Sequence, residues 1–147
     1  MSRHDLGSVL ASAVSDVLET MFFSEILGPC QPDPDGLEAG VDFTGELSGT
    51  VTVRISEASA CSLAASFLGE SEDSLTDTQI AQVVCELTNM LCGCILSKFA
   101  AHGCFDLSSP ELHCDTQTNS SDAVHIQQTF AIDRGTITVS LASDESA

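Results

Sequence analysis

Apolar residues at positions 6, 9, 10, 13, 14, 17, 18, 21 and 22 return every three or four residues, the spacing that gathers side chains on one face of an α-helix. The pattern predicts a first helix over residues 5–27, stopped by Gly28 and Pro29, because proline cannot continue a helix and glycine suits the position just past its end. Residues 31–36 form a proline- and aspartate-rich turn. Strict alternation then replaces the helical period. Val51, Val53 and Ile55 interleave with Thr50, Thr52 and Arg54, so strands are predicted over 37–46 and 49–55. A short helix over 57–68 ends at Gly69. The longest helix follows an acidic loop over 70–77. Its start, Thr76-Asp-Thr-Gln79, has the form of a capping box, in which two side chains occupy otherwise open backbone N–H groups. Its apolar positions are Ile80, Val83, Val84, Leu87, Met90, Leu91, Cys94 and Ile95, and it is expected to end near His102, with Gly103 as its stop. Three strands complete the reading, at 111–116, 124–133 and 136–141, the last two joined by a tight turn at Asp133-Arg-Gly135.

The two halves echo each other. Gly49-Thr-Val-Thr-Val53 and Gly135-Thr-Ile-Thr-Val139 are near copies, and each is preceded at a distance by an amphipathic helix. The helices align as well, Ser15-x-x-x-Glu19-x-x-Phe22 with Gln82-x-x-x-Glu86-x-x-Asn89, with the polar set complete only in the second. A chain of 147 residues suits one domain. It is read as two pseudo-repeats, about 1–70 and 71–147, in an α/β protein of the α+β type with long helices packed on a mainly antiparallel sheet.

Composition narrows the partners. Hydrophobic residues make up 43% of the chain, enough for a packed interior and against global disorder. Four basic residues stand against 22 acidic ones, a net charge of −18, which repels phosphate backbones and anionic lipid headgroups alike. Nucleic acid and membrane surfaces are therefore excluded as partners. No signal-peptide pattern is found, and no stretch is expected to reach the ~20 apolar residues of a bilayer span; a soluble, cytoplasmic protein is expected. The seven cysteines are odd in number and include no C-x-x-C pair. Cys92 and Cys94 point about 200° apart on a helix, so they cannot share an ion, and the cysteines read as packing residues. The four histidines are scattered. No metal site and no cofactor of the chain's own are expected. A thiol-rich redox or metal sensor is the reading from another class, and it requires bound zinc or iron.

The polar side of the longest helix carries the candidate chemistry. Gln82, Glu86, Asn89, Gly93 and Ser97 recur at nearly one azimuth. Such a stripe is commonly no more than the solvated face of an amphipathic helix. The functional alternative is specific, however. A rigidly held carboxamide can accept a hydrogen bond from a water molecule while donating one to a phosphoryl oxygen, and phosphoryl hydrolysis depends mostly on that kind of orientation. The carboxylate one turn earlier needs a cation beside a phosphate, and a lysine on another protein would serve. Gly93 removes a side chain where such a protein would approach. With no nucleophile or phosphate loop of its own, this chain would complete an active site located on its substrate protein.

These residues, the order of elements, the Met21-Phe22-Phe23 end of the first helix and the Glu-x-x-Asn-x-x-x-Gly run resemble the CheX branch of the CheC/CheX/FliY chemotaxis phosphatases. The family motif has Asp or Ser, then Glu four positions on, Asn three further, and a proline about two dozen residues downstream. Glu86 and Asn89 match and Pro110 lies near the expected place, whereas Gln82 stands where the motif has Asp or Ser and the gap to Pro110 is a couple of residues short. The resemblance implies a CheC/CheX-like fold and hydrolysis of the aspartyl-phosphate of a CheY-like receiver domain. In it, Asn89 would orient the water and Glu86 would engage the receiver's lysine. Gln82, Gly93 and Ser97 would contact the partner, Mg2+ would belong to the receiver, and the protein would be a homodimer. The competing reading within the same fold is a non-catalytic module that binds a receiver or a flagellar switch component.

Overall fold

The computed structural model describes residues 3–22, 24–31, 36–45, 48–99, 105–108, 110–113 and 124–143. The helices are α1 (Arg3–Met21), α2 (Glu57–Leu68) and α3 (Asp77–Phe99). The strands are β1 (Gly28–Pro29), β2 (Leu37–Gly45), β3 (Gly49–Ile55), β4 (Phe105–Leu107), β5 (Glu111–His113), β6 (Val124–Ile132) and β7 (Gly135–Ser143). They form one seven-stranded antiparallel sheet in the order β1-β6-β7-β3-β2-β4, with β5 also paired to β2.

Alternation along the strands decides which face meets the helices. Ala39, Val41 and Phe43 of β2, Val51, Val53 and Ile55 of β3, Ile126, Phe130 and Ile132 of β6, and Ile137, Val139 and Leu141 of β7 are all buried. The register sets Val53 between Ala39 and Val139, and Leu141 between Val51 and Ile126, so these side chains share a single face. Each buried Val, Leu, Ile or Phe contributes roughly 1.5–3 kcal/mol before chain entropy is counted. The other face is polar. There the guanidinium of Arg54 donates twice to Glu38 Oε1, at 3.1 and 2.6 Å, which supplies the partner that a buried carboxylate requires. The two echoing segments are β3 and β7, adjacent at the centre of the sheet, with Val53 directly opposite its counterpart Val139.

Helix α3 packs on α1, α2, β2 and β3 and buries Val83, Val84, Leu87, Leu91, Cys92, Ile95 and Leu96. By length and composition the segment Asp77–Lys98 is apolar enough to cross a bilayer, contrary to the sequence expectation. Its apolar side is accounted for by its place at the centre of this core. The capping box forms as expected: Thr76 N–H donates to Gln79 Oε1 at 2.8 Å, and Gln79 N–H to Thr76 Oγ1 at 3.1 Å. The turn at Asp133-Arg-Gly135 is seated on the start of α2, where Ser59 donates to the Asp133 carbonyl at 2.7 Å and Thr136 N–H to Ser56 Oγ at 2.9 Å. A Cβ at Gly135 would stand 1.9 Å from Ser56 Oγ, so only glycine permits this contact.

The first helix ends earlier than expected, at Met21 rather than residue 27. The N–H groups of Phe22 and Ser24 both close onto the Leu18 carbonyl, and the chain then runs extended, with Leu27 N–H bonding the Ala131 carbonyl at 2.8 Å. Gly28 and Pro29 are thus an edge strand, not simply a helix stop. Strand β4 and the 3-10 turn Glu72–Ser74 are too short to show a period and were not foreseen. The expected helix end at His102 and Gly103, and residues 114–116 of the fifth strand, lie outside the described residues.

Candidate functional site

The capping box fixes where α3 starts, and the buried positions fix its rotation, so the stripe is aimed outward by the core. Gln82, Glu86, Gly93 and Ser97 are exposed and Asn89 is half-buried. The neighbours of Glu86 show how sharply the faces divide. Leu87 and Thr88 are fully buried, and the Thr88 hydroxyl turns inward to the Val84 carbonyl at 2.8 Å. Glu86 and Asn89 lie one turn apart, with Cβ atoms about 5–6 Å apart by helix geometry. Among the described residues neither side chain makes a hydrogen bond or an ion pair, and the same holds for Gln82. A carboxylate and a carboxamide are therefore presented together with their bonding capacity unused.

The corresponding positions on α1 are arranged otherwise. Ser15 Oγ donates to Glu19 Oε2 at 2.9 Å, and Phe22 is fully buried, stacked on Phe67 with ring centroids 5.0 Å apart. No amide occupies the third position, and the place it would take is filled by the core.

Lys98 follows Ser97 at the far end of the stripe and is held by α1: its Nζ lies 2.8 Å from Asp16 Oδ2. That hydrogen bond holds the ammonium above the ordinary lysine value. Arg54 pairs with Glu38 and Arg134 with Glu72. Among the described residues, each of these three cations is thus tied to a carboxylate of its own chain, and Glu86 has none. Nothing in the local pattern links position 16 to position 98, so this pairing is not visible from the sequence. Pro110 lies between β4 and β5 and is half-buried.

Cys85, Cys92 and Cys94 lie in or against the core. Burial, with a smaller contribution from Asp42, pushes Cys92 up to about 12, and burial raises Cys85 and Cys94 as well. A thiol so shifted stays protonated at neutral pH and is a poor nucleophile or ligand. Among the described residues no three His, Cys, Asp or Glu side chains are grouped to hold a metal ion.

The fold defines a class: three helices packed on a mainly antiparallel sheet, with Glu86 exposed and Asn89 half-buried on the longest helix. The family model described as "Chemotaxis phosphatase CheX" matches residues 38–132, and the chain belongs to the CheX family. Among solved structures it is similar to chemotaxis protein CheX from Vibrio vulnificus, with 21% identity and a TM-score of 0.77 over 98% of this chain and 99% of that one. It is also similar to CheX from Desulfovibrio desulfuricans, with 22% identity and a TM-score of 0.78 over 95% and 99%. A third similar structure is the CheX-CheY-BeF3-Mg2+ complex from Borrelia burgdorferi, with 21% identity and a TM-score of 0.75 over 96% and 99%. At these identities the likeness establishes the fold. No match was found among curated proteins.

Proposed function

We propose that the protein hydrolyses the aspartyl-phosphate of a CheY-like receiver domain. The observation that carries this reading is the pair Glu86 and Asn89, accessible, one turn apart and without partners among the described residues, on the central helix of a CheX-family chain. The Borrelia burgdorferi complex of CheX with CheY, BeF3 and Mg2+ supports the choice of partner. Water attacks phosphorus, the bond from phosphorus to the aspartyl oxygen breaks, and inorganic phosphate and the free carboxylate separate. Asn89 accepts a hydrogen bond from the attacking water and donates one to a phosphoryl oxygen, which fixes the line of attack. Glu86 binds the lysine beside the phosphoaspartate and anchors the helix in the pocket. The divalent cation that offsets phosphoryl charge is the receiver's Mg2+. Gln82, Gly93 and Ser97 line the contact.

The same reading makes the protein a cytoplasmic homodimer. Among the described residues β6 is paired to β1 only at Phe130 and Ala131, which leaves the outer edge of its first half for another strand to cover. Sedimentation equilibrium tests this: a single species at twice the mass of the chain is expected, and a monomer at micromolar concentration removes the dimer from the reading.

Phosphate release from phosphorylated receivers of the same organism tests the activity. Release accelerated at least tenfold over the receiver's own rate is the expected result. Tight binding of a phosphorylated receiver without acceleration would instead identify a docking module.

A further inference from the structure

Gly93 is the position on the α3 ridge whose residue type the fold does not explain. Its backbone is ordinary helix, outside the positive-φ set, it is exposed, and a Cβ added there would meet nothing within 4 Å. Other glycines have reasons inside the chain. At Gly7 a Cβ would stand 2.6 Å from Gln128 Nε2, and Gly69 caps α2 at φ 69°. An exposed glycine within a helix lowers stability relative to alanine, because its backbone loses more freedom on folding. The chain carries that cost at Gly93 for no contact of its own among the described residues.

The neighbouring residues show what the missing side chain achieves. Asn89 and Ser97 lie four positions to either side, on the same face, so the glycine opens a notch in the ridge one turn past the carboxamide. Asn89 is half-buried while Glu86 is exposed, so Asn89 stands lower on the ridge, recessed relative to Glu86. An asparagine has one methylene between backbone and amide, so a group that is to bond it must come close to the helix itself. We propose that the Gly93 notch is where a partner's backbone closes onto α3, setting the approach distance at which the recessed Asn89 reaches the phosphoryl group. This rests on the function proposed above and takes the receiver domain as the occupant. The unpaired Glu86 calls for a cation on the receiver where it meets α3.

The test compares the full-length protein with Gly93→Ala and Gly93→Leu. Three quantities are measured: the thermal midpoint, the affinity for a receiver loaded with beryllofluoride and Mg2+, and phosphate release from the phosphorylated receiver. Gly93→Ala is expected to raise the midpoint by about 3 °C while weakening receiver binding roughly tenfold, and Gly93→Leu to weaken it on the order of 100-fold. A gain in stability with a loss of affinity is a combination that a purely structural glycine cannot give. Unchanged affinity in both variants overturns the notch, as does a lowered midpoint in Gly93→Ala. Hydrolysis by wild type together with unimpaired Gly93→Leu leaves the enzyme reading standing and removes the notch. Binding by wild type without hydrolysis removes the enzyme reading, and the affinities still decide the notch. A wild-type protein that binds no loaded receiver overturns both.

Discussion

Helices α1 and α3 carry corresponding residues at one spacing, Ser15 and Glu19 on the first with Phe22 just past its end, and Gln82, Glu86 and Asn89 on the other, and the fold uses them in opposite ways. On α1 the hydroxyl and carboxylate bond each other and the third position is core. On α3 the carboxylate and carboxamide find no partner among the described residues. The difference lies in where each helix stops. Helix α1 ends at Met21, so Phe22 sits at its frayed end and folds inward onto Phe67. Helix α3 continues to Phe99, almost three turns beyond Asn89, and its rotation there is fixed by Leu91, Cys92, Ile95 and Leu96 below. A polar set on a helix becomes a candidate site where the core holds it outward and nothing internal satisfies it.

The sharpest way to break this comparison is to write the α3 motif onto α1. Phe22→Asn completes Ser-x-x-x-Glu-x-x-Asn in the first helix, but it removes a fully buried ring and leaves a carboxamide in apolar surroundings. The expected loss is about 3–5 kcal/mol, read as a fall of roughly 10 °C in the thermal midpoint, with no gain in phosphate release per folded molecule. A stable variant with doubled turnover would mean that α1 is a second site lacking only its amide.

The reciprocal change on α3 separates chemistry from folding. Asn89→Ala is expected to lower receiver dephosphorylation by at least about 100-fold, the order lost when a group that positions a reactant is removed, while the thermal midpoint stays within about 2 °C of wild type. Glu86→Ala should follow at roughly tenfold or more, carried mainly by the KM for the receiver, because an anchoring ion pair is lost and the amide is kept. If Asn89→Ala retains full turnover, the ridge is a solvated face and the enzyme reading ends.

Much of this was legible from sequence because the deciding interactions are local. The capping box, the alternation in β3 and β7, and the outward azimuth of Gln82, Glu86 and Gly93 depend on residues within a few positions of each other. The failures share a different origin. Phe22, just past the end of α1, is buried against Phe67, a residue far along the chain, and the chain before β1 is tied to β6 where Leu27 N–H bonds the Ala131 carbonyl. The tie of Lys98 to Asp16 joins positions 82 apart. The half-burial of Asn89 and the empty space around Gly93 likewise become visible only once the neighbouring elements are in place.

Glu19→Ala is the smallest change expected and the closest control for Glu86→Ala, since it removes the same group from the same motif position on the other helix. It breaks one exposed hydrogen bond between residues four apart, worth about 0.2–0.5 kcal/mol. It also moves the net charge from −18 to −17, and that second effect could be mistaken for a role at the site, because net charge influences how fast a charged receiver arrives. Screening separates the two. At an ionic strength of about 0.15 M, charges more than roughly 8 Å apart hardly interact, so any change due to overall field fades with added salt, whereas loss of a direct contact persists. Turnover by Glu19→Ala should stay within about twofold of wild type at low salt and converge on it at high salt. A tenfold loss that survives high salt would move the working carboxylate from α3 to α1.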